Sequence, residues 1–78
     1  MYILVRCDCE DKITHTKFET MEDAQSELTR DLIYIIGKKR YETGDGFGFE
    51  WGFDNLSEAY AWDRSEQDHL VMWKILNI

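Results

Sequence analysis

Residues 20–37 read Thr20-Met21-Glu22-Asp23-Ala24-Gln25-Ser26-Glu27-Leu28-Thr29-Arg30-Asp31-Leu32-Ile33-Tyr34-Ile35-Ile36-Gly37, and this stretch decides the fold. Met21, Ala24, Leu28, Leu32 and Ile35 recur at three- and four-residue intervals, which places them in one apolar stripe on a helix. Asp23, Gln25, Glu27, Arg30 and Asp31 fall mostly off that stripe. Thr20 is a favourable N-cap. Glu22 and Asp23 suit the positive end of the helix dipole, and Asp23 stands where a capping-box acid belongs. Gly37 is a natural first residue beyond the helix, and Lys38-Lys39-Arg40 complement its negative end. The spacing predicts a helix from Met21 to Ile36.

Working outward, residues 2–9 (YILVRCDC) and 13–18 (ITHTKF) read as paired strands, with Glu10-Asp11-Lys12 turning between them. Pairing Cys9 with Thr14 sets Asp8 opposite His15, Cys7 opposite Thr16, Arg6 opposite Lys17 and Val5 opposite Phe18. On that register Ile3, Val5, Cys7 and Phe18 share one face, with Tyr2, Leu4, Arg6, Asp8, His15 and Lys17 on the other. Residues 41–46 (YETGDG) are turn-rich, with the reversal at Gly44-Asp45-Gly46. Phe47-Gly48-Phe49-Glu50-Trp51-Gly52-Phe53-Asp54 alternates strictly, with every aromatic on one side. Residues 57–62 (SEAYAW) form a further strand, 63–68 (DRSEQD) a polar turn, and 70–77 (LVMWKILN) a final apolar strand. The expected architecture is α+β: a small, mainly antiparallel sheet with one helix packed on one face, in the order ββαβββ. The two terminal strands are the most apolar and are expected side by side at the centre of the sheet.

Seventy-eight residues make one domain, here 1–78, which buries roughly 60% of its unfolded surface. The 44% hydrophobic and 14% aromatic content argues against disorder, which needs low hydrophobicity together with high charge. Proline is absent. Met1-Tyr2-Ile3-Leu4-Val5-Arg6 lacks the pattern of a signal peptide, and no stretch approaches the ~20 apolar residues of a membrane helix, so a cytoplasmic protein is expected. Cys7 and Cys9 stand too close for an unstrained bridge, and reduced thiols follow. A net charge of −7 disfavours direct binding to nucleic acid and to anionic membranes, and favours a basic partner.

Each motif that carries chemistry meets a simpler explanation. Cys7-x-Cys9 with His15 or His69 is too tightly spaced for a zinc site, and on the register above His15 points away from both thiols; no metal or cofactor is expected. Asp8 opposite His15 resembles a His–carboxylate pair, but no nucleophile or pocket accompanies it. It reads as a surface ion pair, and no catalytic residue is assigned. Gly44-x-Gly46-x-Gly48 follows a helix and enters an acidic, aromatic strand, the reverse of a phosphate loop. Phe47, Phe49, Trp51 and Phe53 lack the cationic groove of a base-stacking platform and read as core. The 16 carboxylates are spread along the chain, which leaves open an acidic surface that mimics a phosphate backbone.

The more informative feature is the sheet face that one helix leaves open. On residues 57–62, Ala59 and Ala61 alternate with Tyr60 and Trp62; small residues let a helix approach, so the alanines are expected beneath it. The last strand is apolar on both sides, with Val71, Trp73 and Ile75 on one and Leu70, Met72 and Leu76 on the other. A patch of Tyr2, Leu4, Tyr60, Trp62 and Met72 is therefore expected away from the helix, covered by residues 47–53 or by a second chain. Two functions follow: a small protein-interaction module that pairs with itself or another protein through that face, or an acidic inhibitor or DNA mimic that docks on a basic groove. An enzyme is not expected. Phe18-x-Thr20-x-x-x-Ala24 entering a helix, with Trp73-Lys74-Ile75 near the end, resembles small uncharacterised α+β proteins of Gram-positive bacteria and their mobile elements. The resemblance implies a cytoplasmic bacterial setting and no known activity.

Overall fold

The computed structural model describes residues 1–8, 12–44, 48–63 and 69–78. In chain order the elements are β1 (Tyr2–Asp8), β2 (Ile13–Phe18), α1 (Met21–Ile36), α2 (Lys38–Thr43), β3 (Phe49–Asn55), β4 (Glu58–Asp63) and β5 (His69–Asn77). The strands form one antiparallel sheet in the order β2-β1-β5-β4-β3. The terminal strands β1 and β5 are neighbours, and mutual backbone hydrogen bonds between Met1 and Ile78 hold their ends together.

Helix α1 has the predicted bounds, and its ends show why. Thr20 is extended and its Oγ1 accepts from the Asp23 N–H at 3.1 Å, satisfying a donor that the first turn leaves unpaired. Gly37 ends the helix at φ 92° while its N–H donates to Ile33 O, a conformation open chiefly to glycine. Ala24, Leu28, Leu32 and Ile36 are buried against Leu4, Ala59, Ala61, Val71, Trp73 and Ile75 of the sheet, with Met21 and Ile35 of the expected stripe only partly buried beside them. Ala59 and Ala61 lie beneath the helix, as their size predicts.

A second helix, α2, modifies the single-helix expectation. Lys38-Lys39-Arg40 does more than complement the end of α1: it opens a six-residue helix that Gly44 closes at φ 72°. Such a short helix is unstable by itself, and tertiary contacts hold it. The Tyr41 ring stacks on Trp51 at 5.6 Å between centroids, and the Arg40 guanidinium lies 4.6 Å from the centre of the Phe49 ring. Arg40 Nη1 also donates to Ile36 O at 3.0 Å, capping α1. Residues 41–43 of the expected turn-rich connection are therefore helical. Asp45, Gly46 and Phe47 lie outside the described residues, as do Cys9, Glu10 and Asp11 at the expected hairpin turn and residues 64–68 of the expected polar turn.

The β1–β2 register also differs from expectation. Cys7 pairs with Ile13, Val5 with His15, Ile3 with Lys17 and Tyr2 with Phe18, a slip of three residues. An odd slip exchanges the faces of one strand relative to the other. Asp8 N–H donates to Lys12 O at 2.9 Å, closing the hairpin earlier than a turn at Glu10-Asp11-Lys12 would. Consequently Tyr2, Leu4, Arg6 and Asp8 lie on the helix side with Phe18, and Ile3, Val5 and Cys7 lie on the open side.

Candidate functional site

The open face follows directly from the strand pairing, because alternate residues of every strand point away from α1. Its middle row runs Ile13, Cys7, Met72, Tyr60, Gly52 from β2 to β3. One row to one side lie Leu70, Trp62 and Glu50. To the other side His15, Val5, Lys74 and Glu58 are adjacent, followed by Lys17, Ile3 and Leu76. The centre of the face is apolar across β1, β5 and β4, and Met72 at its middle is 48% exposed. Tyr60 leans over Gly52, close to where a side chain at 52 would begin, and a depression of about 320 Å³ opens between Val5, Cys7, Tyr60, Met72 and Lys74.

Of the five patch residues read from the sequence, Tyr60, Trp62 and Met72 belong to this face. Tyr2 and Leu4 do not. Leu4 is 6% exposed within the helix-side core, and Tyr2 packs against that core. Their places on the open face are taken by Ile3, Val5 and Cys7, which the assumed hairpin register had turned inward. The aromatic strand does not cover this face either. It is the sheet edge β3, with Phe49 and Trp51 against the helix-side core.

A polar cluster at the helix–sheet junction accounts for the ionisable residues that share the helix side. Arg6 Nη1 donates to both oxygens of Asp31 at 3.1 and 3.0 Å, and the Trp73 indole N–H donates to Asp31 Oδ2 at 2.8 Å. Asp8 lies 3.7 Å from Arg6 and 2.9 Å from His69 Nε2. The carboxylate–histidine pair of this protein is thus Asp8–His69, whereas His15 is exposed beside Val5 on the other side of the sheet. The signal for it was strand parity, since Asp8 alternates with Leu4 and His69 with Val71 and Trp73. These groups bond one another across three elements, so their chemistry is to fasten α1 to the sheet.

A second groove, of about 580 Å³, lies between α1 and the β3–β4 turn. Gln25, Leu28, Thr29, Phe53, Asn55 and Leu56 line it, none of them ionisable, and Gln25 Nε2 donates to Leu56 O across it at 2.9 Å. Among the described residues no group of three or more His, Cys, Asp or Glu is placed to hold a metal ion. No helix among them is long and apolar enough to cross a membrane.

No protein-family model matches this chain, and neither a curated protein nor a solved structure does.

Proposed function

We propose that this chain is a small protein-interaction module whose docking surface is the open face of its sheet. One observation carries the reading. The face opposite α1 presents Ile3, Val5, Cys7, Leu70, Met72 and Tyr60 side by side on the three central strands, and nothing in the chain's described residues covers it. Contiguous apolar surface of this kind marks interaction sites in soluble proteins. An aromatic residue and a methionine at its middle match the residue types that dominate protein interfaces.

The test is retention of a protein partner from the native host by two baits, the wild-type chain and Met72→Asp, at low salt and at ~0.5 M salt, where the Debye length is only a few ångströms. The expected result is a partner held by the wild type at both salt concentrations and lost by Met72→Asp. A partner that salt releases and Met72→Asp retains would overturn the reading in favour of an acidic surface docked on a basic groove.

A further inference from the structure

We propose that the open face is occupied by a second copy of this chain, related by a two-fold axis running along β5, so that β2 of each copy lies over β3 of the other. This rests on the docking role proposed for the face and names its partner.

Two observations lead to it. The first is surface area. A compact monomer of this 9.3 kDa mass exposes about 5,000 Å², whereas this chain exposes 5553 Å². The excess is on the order of 500 Å², about a tenth of the surface, which is the share that a specific interface removes from a small protein. The molecule is also thin, 18 Å along its shortest axis, as one helix on one bare sheet must be. A second sheet packed face to face would supply the missing layer.

The second is the arrangement of charge and shape on the face. Its β2 edge carries Lys17 and His15, and its β3 edge carries Glu50 together with Asp54, which sits at the β3 bulge and lines the depression on this face. Two two-fold arrangements of such a face are distinguishable. An axis perpendicular to the strands stacks β3 on β3 and brings acid onto acid. An axis along β5 reverses each row onto itself and brings the Lys17–His15 edge of one copy over Asp54 of the other. The same operation sets Ile13, 67% exposed, against Gly52 and the Tyr60 ring of the second copy, Cys7 against its Tyr60, and Met72 against its Met72. The operation also brings Lys74, the one central cation among the described residues, over the second copy's Lys74, but each already has its own Glu58 at 3.7 Å, so the charges that meet at the axis are paired ones. The face is self-complementary in the isologous sense that a two-fold dimer requires.

Sedimentation equilibrium of the full chain from ~1 µM to ~0.5 mM, a range that brackets micromolar association, should show a reversible monomer–dimer equilibrium. Met72→Asp should weaken it by roughly tenfold or more with an unchanged circular-dichroism spectrum. Lys17→Glu alone and Asp54→Lys alone, both at exposed positions, should each weaken it by about two- to fivefold. The double swap should restore it, because each new glutamate then lies within one row of a new lysine on the second copy. A monomer across the whole range overturns the proposal. So does a dimer indifferent to Met72→Asp, or a swap that fails to restore association. The docking role is read separately: a monomeric chain that still loses a host protein on Met72→Asp overturns the second copy and keeps that role.

Discussion

Asp31 shows how much one side chain settles here. It accepts both bonds from Arg6 and a third from the indole of Trp73, whose side chain is otherwise buried, at 2% exposure. Asp31→Ala removes the acceptor, leaving a buried N–H without a partner and a half-buried guanidinium with only Asp8, 3.7 Å away. The expected loss is about 2–3 kcal/mol, read as a lower denaturant midpoint at an unchanged slope. Asp31→Asn keeps an acceptor for the indole while removing the charge, and should lose about half as much. An equal loss in the two variants would assign the whole effect to the Arg6 pair. In the sequence Asp31 is simply a polar residue off the helix stripe. Its partners lie 25 and 42 residues away, and local spacing carries no information about them.

Among the elements, α1 and α2 make an instructive contrast. The boundaries of α1 are legible residue by residue because Thr20 and Gly37 act within one turn of the backbone they cap. Helix α2 has six residues, no side-chain N-cap bond and no buried residue; it exists where Tyr41 and Arg40 meet Trp51 and Phe49 of a strand that follows it. Tyr41→Ala should therefore release residues 38–43 to fast hydrogen exchange while β5 keeps its protection, a local opening rather than a global one. Gly44→Ala should destabilise α2 by about 1 kcal/mol. A Cβ at position 44 meets nothing within 4 Å, so strain at φ 72° is the sole cost. Slowed exchange in either variant would contradict this account.

For the whole molecule, the consequence of a one-sided helix layer is thermodynamic. If the second copy completes the fold, mass action makes stability depend on concentration. The wild-type melting temperature should then rise over a hundredfold increase in protein concentration, and that of Met72→Asp should stay constant. A wild-type melting temperature independent of concentration would count against the dimer. Helix–sheet packing should hold in both proteins, because Met72 points away from α1 whereas Val71 and Trp73 are buried beneath it.

The amino-acid sequence by itself determined the α1 boundaries, the α+β class, the central pair of terminal strands and the placing of Ala59 and Ala61 beneath the helix. Each of these depends on periodicity, capping or residue size, which act over a few neighbouring residues. Only the tertiary structure decided which apolar row of β1 faces inward. Both rows, Tyr2 with Leu4 and Ile3 with Val5, are hydrophobic enough for either side, so pattern alone leaves strand parity undetermined. Arg6 and Asp8 make the observed side tolerable, since there they reach Asp31 and His69, and a buried polar group without a partner is costly. That choice carries Ile3, Val5 and Cys7 to the open face beside Tyr60, Trp62 and Met72. A local pattern records what a strand can bury, and contacts distant in sequence select which side it buries.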